Sequence, residues 1–469
     1  MTTRDQDRAG ARGSRAPGPL SAPYRLVTVA VIALITIIAF EAMAISTAMP
    51  VVAADLHAVK SYGLAFSIML TAELLGTVLS GLWCDRRGPY QVLFVGQLLF
   101  ALGCVVAGLA GSFAVLLVGR AVAGLGAGLN VVALYVVTGR VYPAAVRPRV
   151  FSWTSAAWVL PSLVGPPIAG WLTTTFSWRW VFLVVLVPVT ATFVIVVQQR
   201  SALDGAVLRE TTAPADLAAE RRVAWLGLAI AVAAGLFQVG AERLVPFSPV
   251  ALGATLVGLV GVVAVYPRLA PRGTLRIWRG LPATMLSRLL LSGTFNGAVA
   301  FVPLMLVAER GLSPTLAGAV LTIGALGWSA GSWVQGNQTL ADRKTELVTA
   351  GGACLAGGIA LMAVVAAAGL HWLVLAAGSV LMGLAMGIAT SSTSVLTLAL
   401  SPVEEHGRAS SSLNLSDVLG AVLGISLSGA VFAGLHDPHG SDVHVFALMW
   451  AVLAVIAAIA IVSGRRTRV

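Results

Sequence analysis

Four ionisable side chains lie deep inside apolar sequence: Glu41, Glu73, Arg120 and Asp417. Charged groups in such surroundings are costly and usually functional. Glu41 stands about 15 residues into the first apolar stretch, so about 22 Å from its inner end at roughly 1.5 Å per residue. Arg120 stands about six residues into the fourth stretch, which runs the opposite way, so about 9 Å below the outer end. Across an apolar layer of roughly 30 Å these depths nearly coincide. The two can pair, or Arg120 can snorkel to the outer interface and Glu41 can bond a helix neighbour. Glu73 falls close to the middle of the second stretch, where a carboxyl either binds and releases protons or serves as a hydrogen-bonded packing group. Asp417, in the inner third of its stretch, suits a proton path or an inner vestibule equally. Arg288 lies near the inner end of its stretch and is expected to snorkel.

Uncharged polar groups are sparse in the apolar stretches. Asn130, Gln238, Asn296 and Asn414 either line a cavity or bond between helices, and Phe295 and Met43 either line an apolar pocket or face lipid and core. Other chemistries lack their residues. None of the six histidines (His57, His371, His406, His436, His439, His444) falls deep in an apolar stretch. The three cysteines, Cys84, Cys104 and Cys354, have neither metal nor disulfide spacing. No glycine-rich phosphate loop ends in Lys-Ser or Lys-Thr. The sequence therefore reads as neither an enzyme nor an ATP-driven machine, and no cofactor or metal is expected.

These groups are carried by fourteen apolar stretches, at 26–50, 62–83, 92–110, 114–137, 150–173, 179–198, 223–241, 247–266, 283–308, 314–336, 346–369, 372–399, 410–435 and 444–463. A bilayer core takes about 20 apolar residues of helix to cross, and a helix satisfies its own backbone where no water is present. The chain is 58% hydrophobic and 10% charged, with a mean hydropathy of +0.91. The fold class is an all-α polytopic membrane protein. The net charge of +11 is not a nucleic-acid footprint. Of 30 Lys and Arg, 24 fall in links on one side and 4 (Lys60, Arg179, Arg243, Arg310) on the other, with Arg120 and Arg288 inside spans. This asymmetry puts both termini in the cytoplasm. Trp178, Trp180 and Trp372 are expected at the outer interface.

The two longest cytoplasmic links bracket spans seven and eight. The expected organisation is a disordered tail over 1–25, a six-helix bundle over 26–198, a linker with two extra spans over 199–282, a second six-helix bundle over 283–463 and a tail over 464–469. A weak internal echo supports two related halves: Gly76 and Gly81 precede Asp85-Arg86, and Gly331 and Gly336 precede Asp342-Arg343. Proteins built this way hold their site near the midplane between the halves.

Five segments carry a resemblance. The turn Gly81-Leu-Trp-Cys-Asp85-Arg86-Arg87-Gly88 resembles the signature loop of the major facilitator superfamily, G-x-L-x-D-R-x-G-R-R/K, with Trp83 for its Leu and Pro89-Tyr90 for its basic pair. Arg120 followed by Gly124, Gly126 and Gly128 resembles that family's fourth-helix motif, with Ala123 for its Gln. Pro161-Ser-Leu-Val-Gly165-Pro166-Pro167-Ile-Ala169-Gly170 resembles its exporter motif in span five, with Pro161 and Ala169 for two glycines. The first-span run from Phe40-Glu41 to Pro50 is similar to that of the fourteen-span drug:proton antiporters, and Gly407 to Asn414 is similar to the family's entry into span thirteen.

The resemblance implies an inner-membrane, monomeric, proton-coupled antiporter that exports hydrophobic or cationic small molecules by alternating access. Its coupling groups would be Glu41, Glu73, Asp417 and Arg120. Asp85 would latch the cytoplasmic side, with Gly81, Arg86 and Gly88 shaping the turn, and Gly165, Pro166 and Gly170 would form the antiporter motif. The partners are then a small-molecule substrate, protons and the bilayer. Export of a lipid or secondary metabolite, or symport of a polar solute by the same fold, are the alternatives.

Overall fold

The computed structural model describes residues 18–143, 146–204, 217–402 and 405–468. Residues 1–17 of the expected tail and 205–216 of the long link lie outside the described residues. The first half contains α1 (Arg25–Asp55), α2 (Leu64–Arg87), α3 (Pro89–Gly108), α4 (Phe113–Val141) and α5 (Arg147–Thr175), then α6 (Arg179–Gln198). The inserted pair is α7 (Leu217–Glu242) and α8 (Pro249–Leu269). The second half contains α9 (Leu281–Glu309), then α10 (Pro314–Gln335), α11 (Lys344–Ala367), α12 (Trp372–Ala399), α13 (His406–Leu435) and α14 (Val443–Arg465).

Local chemistry sets the helix starts. The hydroxyls of Ser112, Ser248 and Ser313 accept the N–H of Val115, Ala251 and Leu316, and Pro249 and Pro314 follow their caps directly. A serine cap followed by proline suits a helix start, because proline lacks an N–H that would have no partner there. Pro50 does not end α1, which continues to Asp55. Irregularities interrupt α9, which loosens at 300–301 and finishes in a π turn, Met305–Glu309.

Thirteen helices among the described residues are long and apolar enough to cross a membrane. The long helix outside that set is α5. It has 29 residues, but Pro161, Pro166 and Pro167, with Trp153, Thr154, Trp158 and Ser162, dilute its apolar run. Sequence spacing counts it as a fourteenth span; its composition falls short of the other thirteen.

Small residues let the helices meet closely. Gly124 and Gly128 lay α4 against the backbone of α2 at Met69 and Glu73, and Gly126 lays it against α3 at Phe100. In the second half, Gly383 and Gly387 lay α12 against α10 at Gly324 and Trp328. The two halves touch at the end that carries Lys60, Arg179 and Arg310. There α2 meets α13, with Gly63 facing Gly429 and the Ile425 carbonyl. Likewise α5 meets α10, with Gly170 against Thr315 and the Pro166 carbonyl against Gly318. Thr322 Oγ1 donates to the Leu163 carbonyl at 3.0 Å, and Tyr62 Oη donates to the Ala300 carbonyl at 3.1 Å. The Tyr62 ring packs, tilted, between Phe66 and Phe301.

The inserted pair lies along α2 and α13. Thr71 Oγ1 of α2 donates to Gln238 Oε1 of α7 at 3.0 Å. From α8, Tyr266 shares a 2.7 Å hydrogen bond with Ser416, and the Leu269 carbonyl accepts from Ser412 at 2.8 Å. Trp178 is buried and donates to Asp55 at 2.9 Å. It therefore fixes a loop, while Trp180 is exposed.

Candidate functional site

Glu41 of α1 and Arg120 of α4 form an ion pair through Oε1 and Nη1. Their side chains are 1% and 3% exposed. Arg120 Nε donates to the Ala65 carbonyl of α2 at 3.0 Å, so one guanidinium ties three helices of the first half. Arg120 thus turns inward and does not snorkel. Glu41 Oε2 has no hydrogen-bond partner, which leaves an acceptor site open on a buried acid.

Glu73 is half-buried on α2, within the fields of Glu41, Arg120 and Asp417. Asp417 of α13 accepts from Arg288 Nε of α9 at 2.8 Å. Arg288 Nη1 also donates to the Thr390 carbonyl at 2.9 Å and to Thr393 Oγ1 at 3.1 Å on α12. Snorkelling of Arg288, expected from its depth, is therefore corrected. Asp417 and the hydroxyl-rich face of α12 supply partners inside the bundle that no count along one helix reveals. The Asp417 side chain remains 33% exposed.

In the loop motif, Gly88 has φ 82 and joins α2 to α3, its N–H bonded to the Cys84 carbonyl at 3.0 Å. A side chain would strain that turn. Asp85 is 64% exposed and accepts from Arg140 of α4 at 3.4 Å, within its own half. Arg86 is exposed in the last turn of α2. Nothing in the packing requires glycine at 81, where a Cβ would meet open space. The span-five motif divides its work: Gly165 faces Phe40 and Met43 of α1, while Pro166 and Gly170 face α10 across the seam.

The cavity candidates separate. Asn130 is buried against Gly96 of α3 and belongs to the interior of the first half. Asn296 donates to the Ser292 carbonyl of its own helix at 2.9 Å. Asn414 is exposed near the start of α13. Phe295 is half-buried and meets Trp328 edge-on, with ring centroids 5.4 Å apart. Met43 is 37% exposed. Sequence reasoning missed Glu242, the last residue of α7. It is 5% exposed, and neither carboxyl oxygen has a hydrogen-bond partner. Beside Arg243 and just past an apolar stretch, it reads as a loop charge; no local signal reveals that two glycines receive it.

The sequence profile of the Major Facilitator Superfamily matches residues 31–374 and, a second time, 284–468. The chain belongs to the Major Facilitator Superfamily. Among its superfamily relatives is an uncharacterised MFS-type transporter of Mycobacterium tuberculosis, 27% identical over 449 residues, with 90% of this chain aligned. The alignment spans 62% of that relative's length. The multidrug transporter protein MdtP of Bacillus subtilis is 26% identical over 408 residues, covering 84% of this chain and 72% of MdtP. The fold is that of solved POT transporters. A POT family transporter in complex with 5-aminolevulinic acid superposes with a TM-score of 0.71 at 13% identity, over 95% of this chain and 97% of that one. The peptide transporter POT in complex with sulfate does so at 0.65 and 16% identity, over 98% of both chains. The family and these neighbours are multi-pass membrane transporters, not enzymes.

Proposed function

We propose that this chain is a proton-coupled antiporter that exports hydrophobic, cationic small molecules by rocking two six-helix bundles, in the manner of the fourteen-span drug:proton antiporters. The observation that carries this reading is an acid in the first half whose counterpart in the second half is an aromatic ring. Gly128 of α4 abuts the Glu73 carbonyl, and Gly387 of α12 abuts the Trp328 carbonyl, so Glu73 and Trp328 hold corresponding positions on the second helix of each half. Phe295 extends the aromatic side. A carboxyl from one half and aromatic rings from the other together suit a flat cation, which rings attract through their negative faces.

Repetition of other contacts supports the two-bundle organisation, with boundaries at 26–198 and 283–463 and with α5 as the fourteenth span. Gly63 meets the carbonyl of Ile425, and Gly318 meets that of Pro166. The first position of each pair falls the same number of residues before Glu73 or Trp328. The exporter motif therefore works as one half of a two-fold hinge. Closure at that end leaves the site open toward the arginine-rich side, which we take as the cytoplasm in keeping with the charge asymmetry. Glu41 and Arg120 form the buried reserve of the coupling network, Glu73 is its substrate-facing member, and Asp417 is its member on the cytoplasmic path. Asp85 latches the cytoplasmic side when the seam opens outward.

Quenching of tryptophan fluorescence tests the reading. Purified protein is titrated with a lipophilic aromatic cation, a neutral analogue of the same shape and a dipeptide. The cation should bind best, and Trp328→Phe should remove most of the signal. Preferential binding of the dipeptide would favour the polar-solute reading instead.

A further inference from the structure

The Glu242 carboxyl lies on the seam itself. A Cβ on Gly63 of α2 would stand 2.7 Å from Glu242 Oε1, and one on Gly429 of α13 would stand 2.5 Å from the same atom. The inserted helix α7 thus sets its final side chain into the contact that joins the two halves, where both partners are glycine. The corresponding contact on the opposite side, Gly170 and Pro166 with Thr315 and Gly318, is made by α5 and α10 alone.

Among the described residues, the surroundings offer this carboxyl no hydrogen-bond partner. From α2 and the turn before it, Tyr62 gives its hydroxyl to the Ala300 carbonyl, and Lys60 gives its ammonium to the Val245 carbonyl at 2.9 Å. From α13, the facing residues are Ile425 and Gly429; His436, farther along, is paired with Asp442. On α7 itself, Gln238 is engaged by Thr71, and Arg243 is exposed. From α8, Ala251 and Thr255 pack against Gly240 without a charge. Among the described residues, the charge acting on Glu242 is that of Arg243, the next residue in the chain. An ionised carboxylate with both oxygens unsatisfied is among the costliest groups to bury, whereas a neutral carboxyl is far less so.

We propose that Glu242 is a proton-binding site through which the inserted helix pair senses the outer solution: it carries a proton while α2 and α13 are in contact and releases it to outer water when they part. The step is a simple dissociation. The carboxyl O–H bond breaks, the proton passes to water, and the carboxylate is hydrated in the opened cleft. Closure requires the proton to return. Acid outside therefore favours the closed seam, which in an antiporter primes the cytoplasm-facing form. This rests on the rocking of two bundles described above.

Spin labels on the outer ends of α2 and α13, read by pulsed dipolar spectroscopy in nanodiscs without substrate, report the seam. In the wild type, the ratio of closed to open molecules should fall by up to about tenfold per pH unit once Glu242 titrates. Glu242→Gln, neutral and nearly the same shape, should hold the seam closed and flatten the part of the pH response that Glu242→Asp retains. Infrared difference spectra should show a protonated-carboxyl band in the wild type that Glu242→Gln lacks. A pH response in Glu242→Gln equal to the wild type, or a missing carboxyl band, overturns the proposal. Gradient-driven transport by the same wild-type preparation separates that failure from failure of the antiport reading.

Discussion

Breaking the Glu41–Arg120 pair should cost more than any other change to the coupling network. Glu41→Gln leaves the Arg120 guanidinium buried without its counter-charge, still bonded to the Ala65 carbonyl. Breaking a buried ion pair from one side costs about 3–5 kcal/mol. Here the glutamine oxygen still accepts from Nη1 and the Ala65 bond survives, so about 3 kcal/mol is expected. That corresponds to roughly two powers of ten in a folding equilibrium. Thermal unfolding of the detergent-solubilised protein reads the loss. Arg120→Gln should cost a similar amount, and the double variant should cost clearly less than the sum, because no buried charge is left alone. Transport supplies the second readout: Glu41→Gln should abolish proton-driven efflux, with cationic substrates suffering more than neutral ones. Additive stabilities in the cycle, or wild-type transport of every substrate by Glu41→Gln, would refute the coupling role and leave Glu41 as a packing residue.

Other perturbations probe the moving parts. Gly170→Leu places a branched side chain on Thr315 across the seam; dipolar distances at the outer end should lengthen toward the outward-open form, and transport should fall. Asp85→Asn removes an exposed contact to Arg140, so unfolding should shift by under about 1 kcal/mol, while spin-label distances between the halves should move toward the inward-facing form. Arg288→Gln breaks the bond to Asp417 at a cost of about 1.5–3 kcal/mol in thermal unfolding, and Asp417→Asn should slow proton release on the cytoplasmic side in stopped-flow dye measurements.

Whatever depends on one helix at a time was legible in the sequence. Apolar length gave thirteen of the fourteen expected spans, because the bilayer imposes it, and charge asymmetry gave the expected sidedness. The meeting of Glu41 and Arg120 was also accessible, since depth along two antiparallel helices is a one-dimensional quantity. What depends on rotation about a helix axis was hidden. Arg288 looks like a snorkelling residue until Asp417 and Thr393 are seen beside it, and Asn130 looks like a cavity residue until Gly96 covers it. Glu242 was the hardest to find, because its setting is made by the absence of side chains on two other helices, at Gly63 and Gly429. Glycine spacing announced close packing in α4 but not which helix would approach.

The central claim is that a proton gradient drives efflux through Glu41 and Glu73. Proteoliposomes preloaded with a lipophilic aromatic cation should empty when an opposing pH step is imposed, should ignore ATP, and should stop when the gradient is collapsed. Glu41→Gln and Glu73→Gln should each uncouple efflux from the pH step. Efflux that persists after the gradient is collapsed, or that follows sodium instead, would contradict the account.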